Sequence, residues 1–273
     1  MPDGADGGAA RRHHSPMQFR RVEARRYVTP LREGGSLPAI VEGADAGLYV
    51  VKFRGSGQGA RALVAELIAG EIGRVLGLDV PELVVVRVDG ELARTEPDPE
   101  IQALIKGSVG TNVALDYLPG SVTFDPLVRP PEAELASKIV WFDAFCLNVD
   151  RTAKNVNMLV WHRKLWLIDH GAALYVHHDW ETALGRSRDP FARVRDHVLL
   201  PRASRIAELD AELAARLTST ALRDIIAAVP AALLEDSGGE ARRRDYLTYL
   251  TQRLEAPRAF AMEAQRAHDA LRI

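Results

Sequence analysis

Residues 148–171 read NVDRTAKNVNMLVWHRKLWLIDHG. Two carboxylates, Asp150 and Asp169, stand near the ends of the stretch, with Asn155 between them. The apolar runs 158–161 and 165–168 are separated by His162, Arg163 and Lys164, which reads as a short hairpin. A hairpin there returns Asp169 to the side of Asp150 and Asn155. Asp150 is then placed to accept or orient a hydroxyl proton. Asn155 and Asp169 offer oxygen ligands of the kind a hard cation such as Mg²⁺ takes. Asp and Asn near strand ends also shape turns without doing chemistry, and the Asp-x(4)-Asn spacing alone is a weak pattern. The intervening hairpin is what favours the chemical reading.

Composition narrows the classes around this stretch. A chain of 273 residues supports one large domain or two lobes around a substantial core. Lys and Arg total 35 against 37 Asp and Glu, a formal net charge of −2, so a general nucleic-acid partner is not expected. The single cysteine, Cys146, excludes a disulfide scaffold and a cysteine-based zinc site. No uninterrupted apolar run approaches the ~18 residues of a membrane span. Residues 1–16 are rich in Gly, Ala and Asp and lack the apolar core of a secretory signal. They read as a disordered leader on a cytoplasmic protein.

Upstream, residues 18–28 read as an edge strand, and 39–42 and 48–53 as two strands joined by a turn. Lys52 lies within the second of these, among apolar neighbours. Gly34, Gly35 and Ser36 offer backbone N–H groups that can approach phosphate oxygens. Residues 60–76 form a helix with Leu63, Leu67, Ile68, Ile72, Val75 and Leu76 on one face. Glu66 borders that face; a buried carboxylate needs a partner, and Lys52 is the candidate. Residues 80–88 read as a strand ending in a hairpin-type turn at Asp89 and Gly90, and 101–105 and 112–118 as two more strands. From Pro131 the pattern turns helical: 132–147, then 206–217, 222–234, and 242–271 broken at Pro257. Residues 175–202 lack periodicity and read as a mobile activation or substrate loop. His177 and His178 have no ligand-spaced Cys or carboxylate cluster around them, so a metal role for them is set aside. Ser187, between two arginines, is a conceivable acceptor of a modification.

In order, the Gly-rich turn, Lys52, Glu66, the Asp150/Asn155 loop (NVDRTAKN) and LIDHG around Asp169 make the chain resemble the HipA-like kinase family, a branch of the protein-kinase-like fold. The resemblance covers about residues 34–175. It implies an α+β, two-lobed fold: a β-rich N-lobe with one key helix (17–118) and a mainly helical C-lobe (119–273). It implies ATP and Mg²⁺ in the cleft. Asp150 matches the catalytic base, Asn155 and Asp169 the metal ligands, Lys52 the phosphate-binding lysine and Glu66 its partner. Asp116, Tyr117 and Leu118 fall where a hinge would hold adenine, and Gly34, Gly35 and Ser36 where a loop would cover the phosphates. Asn-Val-Asp replaces the His-Arg-Asp of conventional protein kinases, and His170 replaces their Phe. The implied activity is transfer of the γ-phosphate to a hydroxyl, with a protein Ser/Thr acceptor ahead of a small molecule. A nucleotide-binding pseudokinase without turnover and a lipid or small-molecule kinase stand as the alternatives.

Overall fold

Valine-rich alternation builds the first half of the chain. The computed structural model describes residues 17–31, 37–57, 59–94 and 96–271. The expected leader and the turn at Gly34, Gly35 and Ser36 therefore lie outside the described residues. The chain runs through β1 (Arg20–Pro30), β2 (Ala39–Gly43), β3 (Leu48–Lys52), α1 (Gly59–Val75), β4 (Leu83–Val88), α2 (Pro99–Lys106) and β5 (Gly110–Asp116). The five strands close into a barrel in the order β1-β2-β3-β5-β4. Closure comes from parallel pairing of β1 with β4, Arg20 opposite Val84 through Glu23 opposite Arg87. The strand expected at an edge is thus paired on both sides.

Period-two alternation gives the barrel an inner and an outer apolar face. Val22, Val41, Tyr49, Val51, Val84, Val86 and Ala114 fill the inside. Leu83, Val85, Val113 and Leu115 point outward and join the core built on α1. Both faces of β4 are consequently buried, which explains its unbroken run of valines. A Cβ added at Gly70 of α1 would stand 2.5 Å from Leu83 Cδ1, so glycine lets the helix lie close on β4.

Residues 101–105 belong to α2 and not to a strand. Asp98 caps the helix by accepting the Glu100 N–H, and Pro99 takes the first turn. Ile101 and Ile105, four residues apart on one helical face, then plug the barrel core. Asp89 does not open a hairpin; it caps a 3₁₀ turn, Gly90–Ala93, by accepting the Glu91 N–H.

The second half begins with β6 (Val122–Thr123), α3 (Ala133–Cys146), β7 (Met158–Trp161) and β8 (Lys164–Leu167). β7 and β8 form the expected hairpin, with β6 alongside β7. His162 and Arg163 at its turn both have positive φ, 46° and 66°, the backbone a tight two-residue hairpin requires. After α4 (Trp180–Ala183) and several 3₁₀ turns come α5 (Ile206–Arg216), α6 (Ser219–Ala228), α7 (Gly239–Leu254) and α8 (Ala259–Ala270). α6 stops short of the expected 234 because Pro230 follows it. Trp141, Phe142 and Phe145 of α3 are fully buried, and α3 packs against α5 and α8.

Residues 175–202 are not a bare loop. Phe191, Val194, Leu199 and Leu200 are buried anchors. The guanidinium of Arg253 donates to the carbonyls of Ser187 and Asp189 (3.0 Å each) and of Ala144 and Phe145 (2.9 Å each). One buried arginine therefore ties this segment to the end of α3. The fold is mixed α+β, and among the described residues no helix is long and apolar enough to cross a membrane.

Candidate active site

The site starts from the same alternation that builds the barrel. With Tyr49 and Val51 inside, Lys52 points outward, level with Val113 of β5 and towards α1. That outer face is covered, so Lys52 is only 11% exposed. Its Nζ lies 2.5 Å from Glu66 Oε2 and 2.5 Å from Asp169 Oδ1. Glu66 is completely buried on α1, whereas Asp169 remains 42% exposed after β8. The pairing inferred for Lys52 and Glu66 is present, and Asp169 joins it.

The electrostatics follow from burial set against contact. Burial pushes the Glu66 carboxyl up, but Lys52 first and His170 next outweigh it, leaving a pKa of about 2. Burial pushes the Lys52 ammonium down, and the charges of Glu66 and Asp169 reverse that to a net rise. His170 is fully buried; its Nδ1 stands 3.4 Å from Glu66 Oε1 and its ring meets Phe142 edge-on.

The loop after α3 is held from inside. Leu147 takes a left-handed conformation (φ 53°) at the end of the helix, which turns the chain towards Asn148. Asn148 donates to Asp143 Oδ1 (2.8 Å) and accepts the Asp150 N–H (3.1 Å). Asp150 Oδ2 accepts two amides, Asn155 Nδ2 at 2.7 Å and Asn157 Nδ2 at 3.1 Å. The buried Arg151 donates from Nε to Asp143 Oδ2 (2.6 Å) and from Nη1 to the Asn157 carbonyl. His197 adds its Nε2 to the same Asp143 oxygen at 2.9 Å, while its Nδ1 accepts the Leu199 N–H. These contacts hold the Asp143 carboxyl well below the usual range despite a burial effect that opposes them.

The two halves of the quoted stretch meet at Asn157, whose carbonyl also accepts the Ile168 N–H at 3.1 Å. Asp169 is the next residue. The hairpin thus returns Asp169 to the Asp150 loop, as its pattern requires. Leu147, Asn157, Asp169 and Leu174 all have positive φ, and such backbone concentrates at functional sites.

Asp116 ends β5 opposite Tyr49, and Tyr117 and Leu118 follow it. The Asp116 N–H donates to the Glu82 carbonyl and the Tyr117 N–H to that of Leu48. Burial, with the Glu82 charge behind it, raises the Asp116 carboxyl. Gly34, Gly35 and Ser36 lie outside the described residues. Ser187 is buried and donates to Gln252 Oε1 at 2.8 Å, which removes it as an exposed acceptor. His177 meets the Tyr246 hydroxyl at 2.9 Å, and burial lowers its pKa to about 3.

Sequence reasoning missed Asp143, Arg151, Asn157 and His197. Arg151 and Asn157 lie inside the quoted stretch, so they were available. Asp143 sits in an apolar helix and His197 far downstream; only a buried carboxylate's need for partners hinted at them.

A sequence model described as HipA-like kinase matches residues 25–257, most of the chain. Among solved structures, the chain is similar to the Helicobacter pylori proinflammatory kinase CtkA, with a TM-score of 0.53 and 13% identity. That match covers 91% of this chain and 99% of the other. At such low identity the likeness speaks for the fold alone. No curated protein matches the chain.

Proposed function

The chain belongs to the HipA-like kinase family, and from that premise we propose an ATP- and Mg²⁺-dependent kinase acting on a protein serine or threonine. Residues 17–118 form its N-lobe and 119–273 its C-lobe, with the cleft running past Lys52 and Asp169. The observation that carries this reading is the Lys52 ammonium held at 2.5 Å between a buried and a half-exposed carboxylate. A lysine fixed by Glu66 is aimed at the cleft, where it would meet nucleotide phosphate oxygens.

The residues suit Mg²⁺. Asp169 supplies a carboxylate and Asn155 an exposed amide oxygen. Among the described residues no group of three or more His, Cys, Asp or Glu could hold a metal. Magnesium commonly takes one or two protein ligands and completes its shell with phosphates and water, so it fits this sparse set. Bound there, it would neutralise charge on the transferring phosphoryl group. Asp150 would take the proton of the acceptor hydroxyl as that oxygen bonds to the γ-phosphorus and the bond to the ADP oxygen breaks. Asp116, Tyr117 and Leu118 would border the adenine. The N–H groups of the first two are engaged in backbone bonds, so adenine would take Leu118 or a carbonyl.

The test is incubation with γ-labelled ATP and Mg²⁺, wild type beside Asp150→Asn, following ADP release and intact mass. Turnover in the wild type and its loss in the variant are expected. Equal turnover in both would remove Asp150 from the chemistry. A rise in melting temperature with ATP and Mg²⁺ but no ADP from the wild type would replace the kinase with a nucleotide-binding module.

A further inference from the structure

A carboxylate acting as a proton acceptor must present one defined oxygen, yet its own side-chain torsion leaves the two exchangeable. In this loop Asp150 Oδ2 receives both amide donors, from Asn155 and Asn157. Saturating one oxygen leaves Oδ1 as the acceptor. The two donors differ in how firmly they are held. Asn155 is exposed, and its amide oxygen is the proposed cation ligand, so its side chain is open to being drawn away. Asn157 is 8% exposed, and its backbone is pinned by the Arg151 guanidinium and the Ile168 N–H.

The geometry points to Asn157 as a positioning residue that fixes which oxygen of Asp150 faces the acceptor hydroxyl. This rests on the proposed phosphotransfer role of Asp150. Asparagine also tolerates the left-handed backbone found here (φ 46°) better than most residues, which would account for it without any role in chemistry. Two variants separate these readings. Asn157→Gly accepts the same φ and deletes the amide. Asn157→Asp also tolerates it and keeps the shape, but sets a carboxylate in place of the donor.

ATP turnover with Mg²⁺ is measured for wild type, Asn157→Gly, Asn157→Asp and Asp150→Asn, with the melting temperature of each. In Asn157→Gly, kcat is expected to fall about 10- to 100-fold, the scale of a misaligned catalytic group, at unchanged KM for ATP and near-unchanged melting temperature. In Asn157→Asp, whose carboxylate faces that of Asp150, the same fall comes with a modest drop in melting temperature. If both folded Asn157 variants turn over like the wild type while Asp150→Asn is inactive, Asn157 has no positioning role. The positioning role is equally overturned if kcat loss tracks a large drop in melting temperature, or if neither variant folds: the residue then serves the backbone. If wild type and Asp150→Asn behave alike, the proposed function itself fails and the role of Asn157 goes with it.

Discussion

Two ionic clusters lie at the heart of the molecule, and they are built alike but closed differently. In each, a fully buried carboxylate on a helix, Glu66 on α1 or Asp143 on α3, meets a cation from elsewhere in the chain. Asp143 and Arg151 are both sealed from water, and Asn148 and His197 occupy what remains of the carboxylate. The Lys52 cluster has one cation for two carboxylates, and the second, Asp169, opens onto solvent. By formal count the first cluster is balanced, whereas the second keeps a surplus negative charge at its open edge. A balanced, desolvated pair gives rigidity; an open, unbalanced one leaves room for a cation. The Asp143 cluster reads as the frame that shapes the loop, and the Lys52 cluster as the part left to bind.

The largest expected effect lies in the sealed cluster. Asp143→Ala strands the Arg151 guanidinium in the interior and should cost about 3–5 kcal/mol in chemical unfolding, the usual result of removing one partner of a buried pair. A loss small enough to pass for a surface change would break the contrast. Lys52→Met comes next. Volume is roughly kept, and Glu66, left with only His170, can shed its charge by taking a proton. The loss should then be that of a neutral buried polar group short of a partner, about 1–3 kcal/mol. The rise in melting temperature with ATP that the proposed function expects should vanish with it, a loss that Asp143 variants which still fold should not share.

The smallest effect is read through pH. The Glu66 carboxyl sits at about 2 in the fold against an ordinary 4.5. A depressed folded-state pKa adds stability that is complete above the unfolded value. That stability is lost as pH falls from 4.5 towards about 2. Urea unfolding between pH 5 and pH 3 should therefore show a shallower decline for Glu66→Gln than for wild type. Asp143 is shifted in the same direction, so part of the slope should survive in the variant. Identical slopes would mean that Lys52 does not hold Glu66 ionised.

Much of this arrangement was legible in the chain because it is local. The β7–β8 hairpin announces itself by two apolar runs around a polar turn, and it brings Ile168, the neighbour of Asp169, back to Asn157 in the Asp150 loop. The pairing of Lys52 with Glu66 followed from one physical need, that a carboxylate on a buried helical face must find a cation. α2 was misread because Ile101 to Ile105 is short enough to pass for a strand; Asp98 and Pro99 held the capping signal that decides it.

What the sequence determined by itself is the order and type of the chemical groups and the elements that carry them. Periodicity and turn chemistry act over a few residues and leave their mark there. Tertiary structure alone decided that β1 closes the barrel on β4, that residues 175–202 are pinned by Arg253, and that Asp143 binds Arg151 and His197 together. Each joins distant parts of the chain or depends on which groups lose their water on folding. No local pattern carries that information, because desolvation is a property of the packed whole.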